Sequence, residues 1–89
     1  MKSLLSVLKA EDQIVSEINA INEGIEKLEI EYERAKAYPV ECSEKWKQLF
    51  EISTKIKVRS NDREKYEREL VSVRDELRLY FAALSVRLI

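Results

Sequence analysis

Apolar residues recur at alternating spacings of three and four along the first third of the chain, at Leu4, Val7, Ile14, Ile18, Ile21, Ile25, Leu28, Tyr32 and Ala35. Glu11 is the one polar residue in the series. In a helix that spacing stacks side chains into a narrow stripe, the seam of a coiled coil, and the stripe must be buried against another helix. Ser3 or Ser6 can accept a hydrogen bond from a free amide at the helix start, so the pattern predicts a helix over residues 3–37. Gly24 falls inside it, off the seam, where it predicts a weakness of about 1 kcal/mol relative to alanine rather than a break.

Pro39 disfavours helical geometry at Tyr38, so residues 38–43 read as a turn, with Ser43 placed to cap a second helix and Glu44 in its acidic first turn. From Trp46 the spacing resumes through Leu49, Ile52 and Ile56. It passes Arg59 and Arg63 and continues at Tyr66, Leu70, Val73, Leu77, Tyr80 and Leu84. The phase survives the two arginines, which predicts one helix over residues 44–88. Against continuity, Ser60, Asn61 and Asp62 are followed by Glu64, a capping box that could start a separate helix, so a kink or break is open at residues 59–62.

The fold class expected is all-α: an antiparallel, coiled-coil-like helical hairpin forming one domain over residues 1–89, assembling as a homodimer into a four-helix bundle. A turn near residue 40 sets Ile25 opposite Ile56, Ile14 opposite Tyr66, Val7 opposite Val73 and Leu4 opposite Leu77. The second helix then overhangs the amino terminus by about ten residues, or about 15 Å. The overhang is apolar on nearly every side, from Leu79 and Tyr80 to Leu88 and Ile89, and a lone hairpin would leave it bare. The expected partner or oligomer interface is therefore Leu4, Leu5, Leu8, Leu77, Tyr80, Phe81, Leu84 and Leu88.

Composition narrows the rest. With 89 residues, a single cysteine and no histidine, the chain excludes an intrachain disulfide and lacks the commonest zinc ligand and general base. Neither a cofactor nor a metal is expected, and nor is an enzyme. The longest uncharged stretch, Leu79 to Val86, is far short of the roughly 20 apolar residues that span a bilayer. No small-residue cleavage site follows the short apolar patch near the start, so the expectation is a cytoplasmic protein without a cleaved leader. The net charge of −1 conceals an asymmetry: residues 1–44 carry 5 basic and 10 acidic side chains, residues 45–89 carry 11 and 7. An acidic helix beside a basic one selects the pairing, while burial supplies the stability.

Few residues could carry chemistry. Glu11 either faces a basic residue across the interface and sets register, or marks a seam that frays near the helix start. Arg59 and Arg63 could sit at a solvated kink or pair with acids such as Glu17. With Lys55 they could also form a basic strip for phosphate, and the interleaved Asp62, Glu64, Glu67 and Glu69 weigh against that last reading. Tyr38, Trp46 and Phe50 flank the turn, where they either anchor a partner at the hairpin tip or, as the spacing favours, pack on each other to fix the angle between the helices. Cys42 has no histidine to activate it, and Glu29, Glu31 and Glu33 alternate as a solvated surface does. The function expected is a non-enzymatic protein-binding module, an adaptor, assembly chaperone or inhibitor that covers apolar helical surface of itself or of a helical partner. A purely structural homo-oligomer is the alternative, and nucleic-acid binding through the strip a weaker one.

Overall fold

A computed structural model of the chain describes the backbone of residues 3–88 and the side chains of residues 3–84. The side chain of Leu88, expected at the interface, and all of Ile89 lie outside the described residues. Two helices make up the fold, α1 over Leu4–Lys36 and α2 over Ser43–Leu88, and the described residues contain no strand.

Local chemistry sets the helix ends. Ser3, in extended geometry, accepts the Ser6 N–H on its hydroxyl at 3.2 Å, and its carbonyl accepts the Val7 N–H at 3.1 Å. Ser3 rather than Ser6 is thus the cap. At the other end the Ala37 N–H reaches the Glu33 carbonyl at 3.0 Å, while Tyr38 turns tighter, onto Ala35 at 3.3 Å. Arg34 and Lys36 in the last turn suit the negative end of the helix dipole. Across the turn, the Cys42 carbonyl accepts the Trp46 N–H at 3.4 Å, so α2 starts one residue earlier than the capping argument placed it and Ser43 is its first residue.

Gly24 sits inside α1, and Ser60, Asn61 and Asp62 sit inside an unbroken α2. Asn61 and Asp62 are exposed, so water serves their side chains and the helix bears only their modest propensity cost, about 0.5–0.7 kcal/mol each relative to alanine. The ten seam positions of α1 are all buried or half-buried, with Val7, Ile14, Ile21 and Ile25 deepest. On α2 the buried and half-buried line runs Lys45, Leu49, Ile52, Ile56, Ser60, Arg63, Tyr66, Leu70, Val73, Leu77 and Tyr80. It departs from the expected seam at three places. Trp46 is outside and Lys45 inside, Arg59 is outside and Ser60 half-buried, and Leu84 is exposed. The Arg59 exchange keeps a guanidinium in water for the cost of one small polar side chain facing inward.

The hairpin is a rod of 70 × 17 × 16 Å. At 1.5 Å per residue α2 alone accounts for that length and α1 for about 50 Å of it, which leaves roughly 15–20 Å of α2 beyond the start of α1. The radius of gyration, 20.2 Å, compares with about 12 Å for a compact domain of this length. The chain exposes 7282 Å², where a compact monomer of 10.5 kDa exposes about 5,400 Å². Two helices touching along one stripe leave that much more surface in water.

Candidate interaction surfaces

Two cross-helix polar pairs fix how the helices meet. Glu11 accepts from the Arg74 Nε at 3.4 Å, and Asn22 accepts from an Arg63 guanidinium nitrogen at 3.0 Å. Glu11 therefore faces a basic residue across the hairpin rather than fraying into solvent. Each pair's numbers sum to the same value, so both report one register. Side chains lean toward the amino terminus of their own helix, so the level at which each pair meets lies on the amino-terminal side of both residues, and the facing Cα atoms carry lower numbers than the pair. That brings the register to within about one turn of Val7 opposite Val73.

At the tip the organising residue is Lys45, only 8% exposed. Its ammonium donates to the Tyr38 carbonyl at 2.8 Å and to Glu41 Oε1 at 3.3 Å, and lies 5.9 Å from the centre of the Trp46 ring. A buried cation is tolerable when its donors are satisfied, and here they tie the turn to the first turn of α2. Trp46 is the more apolar residue, yet the alternation of three and four, run backward from Ile52 through Leu49, lands on Lys45. Tyr38, Trp46 and Phe50 are 58%, 60% and 71% exposed, which does not support the reading that the three rings pack on each other. Val40, in the same turn, is exposed as well. Arg34, Tyr38, Cys42, Glu44, Lys45 and Gln48 border an open cleft of about 280 Å³, and Cys42 is exposed.

The basic strip is divided. Lys55 and Arg59 are exposed, whereas Arg63 is spent on Asn22 and, at 3.7 Å, on Glu67. Arg59 borders a shallow groove of about 280 Å³ that also holds Glu17, Asp62, Lys65, Tyr66 and Glu69. Three carboxylates against two cations there do not make a surface for phosphate. Glu17 accepts instead from Gln13 at 3.0 Å, one turn away on its own helix.

The terminal end carries the other apolar cluster. Leu77 is 6% exposed and Leu4 and Tyr80 are half-buried, so these three of the expected interface residues face α1 or α2 within the hairpin. Leu5, Leu8, Phe81 and Leu84 are exposed, and so is Leu79 at 72%, at the start of the apolar overhang. Leu84 continues the seam where α1 no longer reaches. Among the described residues no group of acidic or cysteine side chains is placed to hold a metal, and no helix is long and apolar enough to cross a membrane. Compared with known protein families, with curated proteins and with solved structures, the chain matches none.

Proposed function

We propose that this chain is a non-enzymatic protein–protein interaction module: a helical hairpin whose apolar terminal end covers helical surface of another chain. The partner is either a second copy, giving a homodimer with four helices at the contact, or a helix of a different protein that the hairpin serves as adaptor, assembly chaperone or inhibitor. The observation that carries this reading is the run of Leu79, Phe81 and Leu84 left exposed past the end of α1, beside the exposed Leu5 and Leu8. A helix apolar on several sides is stable in water only when other helices surround it. The large solvent-exposed area of the monomer supports the same reading.

The purely structural oligomer is the second reading. The test is Leu84→Asp. Leu84 lies beyond α1, so circular dichroism is expected to show an unchanged helix content, while the mass by light scattering falls to that of a monomer or the complex with a partner is lost. Loss of helix together with assembly would place Leu84 in the hairpin core and refute the reading. A wild-type assembly that unfolds cooperatively on its own favours the structural oligomer, and a chain that is molten until a partner is added favours the chaperone.

A further inference from the structure

We infer that the hairpin carries a joint in mid-shaft across which its two halves open separately: the terminal half, where α1 begins, parts while the half next to the turn stays paired. The joint belongs to the hairpin alone and holds whatever covers the terminal end.

It begins as a gap in the seam. The apolar side of α2 runs through Leu49 and Ile52 to Ile56 and resumes only at Tyr66, with half-buried Ser60 and Arg63 at the inward positions between. At 1.5 Å per residue the gap is about 15 Å long. Burial of apolar surface is what holds two helices together in water, and over this length α2 contributes little of it. The cross-helix bond at this level, from Arg63 to Asn22 at 3.0 Å, comes from a side chain that is 36% exposed. An open groove lies between the helices here, bordered by Ile21 of α1 and by Arg59, Asp62 and Tyr66 of α2.

Both backbones are weak at the same level. All three asparagines of the chain and its one glycine fall there, Asn19, Asn22 and Gly24 on α1 and Asn61 on α2, with Ser60 and Asp62 on either side of Asn61. These are poorer helix formers than the alanine, leucine, glutamate and lysine that fill most of the shaft. A stretch poor in apolar contact and in helix propensity separates two cooperative units.

Topology sets the order of opening. The turn and Lys45 hold the tip half together, so the terminal half can part and leave two free ends. The tip half opening by itself would leave a long loop closed by the terminal half, which forfeits the entropy that free ends keep. The terminal half therefore opens first and the tip half only with it. Parting bares Val7, Ile14 and Leu77, all buried in the closed hairpin.

Native-state hydrogen exchange on the full chain, resolved amide by amide in urea below the unfolding transition, tests this with a matched pair of substitutions. Ile14→Val and Ile52→Val each remove one methylene from a buried isoleucine, one in each half. The wild type should show a step in protection between Ile56 and Tyr66, with the terminal half less protected. Ile14→Val should speed exchange about two- to tenfold in both halves, and Ile52→Val should do so in the tip half alone. Filling the gap with Ser60→Leu and Arg63→Leu together should remove the step, so that Ile52→Val in that background speeds both halves.

Acceleration of both halves by Ile52→Val in the natural seam would mean one cooperative hairpin, and protection that declines evenly from turn to end would mean plain fraying; either result overturns the joint. A step that survives the filled gap overturns it as well, since another feature then divides the hairpin. Should the filled variant lose its helix content, the matched pair in the natural seam decides alone. None of these results touches the reading of the terminal end.

Discussion

Replacing Lys45 by alanine is the sharpest perturbation of the hairpin itself, because so much converges on one side chain. The ammonium of this nearly buried residue holds the Tyr38 carbonyl at 2.8 Å. A hydrogen bond from a charged donor contributes about 1.5–3 kcal/mol, and the low end applies where water can reach the acceptor, as it can at exposed Tyr38. The Glu41 partner is 68% exposed, so its contribution is a few tenths of a kcal/mol at most, on the order of 0.3–0.5. The buried stem adds about 0.8 kcal/mol per methylene, largely offset by about 1.5–2 kcal/mol of side-chain entropy released on truncation. The net loss is about 2 kcal/mol, which for a chain of this length lowers the melting temperature by roughly 8–16 °C. Urea and thermal unfolding followed by circular dichroism read it. Lys47→Ala, an exposed lysine two residues on, is the control and should stay within about 0.5 kcal/mol of wild type. Lys45→Met should fall between the two, since it keeps the stem and loses the ammonium. Equal effects of Lys45→Ala and Lys47→Ala would refute the assignment of Lys45 as the residue that joins the turn to α2.

Other residues give smaller, separable effects. Gly24→Ala should stabilise the hairpin by about 0.8–1 kcal/mol, since a Cβ there meets no atom within 4 Å and alanine is the better helix former; an unchanged or lowered unfolding midpoint would contradict this. A double-mutant cycle on Glu11 and Arg74, read by denaturant unfolding, should return a coupling of only about 0.2–1 kcal/mol, because the two side chains are 26% and 55% exposed. That coupling should shrink toward zero in molar salt, where the Debye length is about 3 Å; a salt-independent value would mean the pair acts through packing instead.

On α1 the seam was fully legible, because apolar side chains occupy it at nine positions and the tenth, Glu11, keeps the phase and finds Arg74. On α2 the phase was legible and the occupants were not. Trp46 read as the first seam residue on hydrophobicity, whereas spacing places Lys45 there, and a lysine is accepted only because the turn presents a carbonyl at the right distance, which no periodicity encodes. Arg59 and Ser60 exchanged places for a similar reason: a helix can rotate locally to keep a guanidinium wet, and pattern matching assumes a straight stripe. Asn22 as the partner of Arg63 was illegible, since it lies beside the seam and becomes a partner only through the reach of a long side chain from the opposite helix. The overhang of α2 was legible, because helix lengths follow from Pro39 and the two runs of spacing, and Leu79, in the uncharged run that forms it, is exposed.

Amide hydrogen exchange across the whole chain, measured over a range of protein concentrations, tests most directly whether the terminal end is a surface that another chain covers. Exchange reports local opening, and an uncovered overhang should open far more readily than the packed shaft. The expected result is protection of amides from Leu79 to Leu84 that rises with concentration, while protection from Leu49 to Tyr66 stays constant. Slow exchange at the tip side with fast, concentration-independent exchange from Leu79 to Leu84 would show an end that no second copy covers, and would contradict the homodimer.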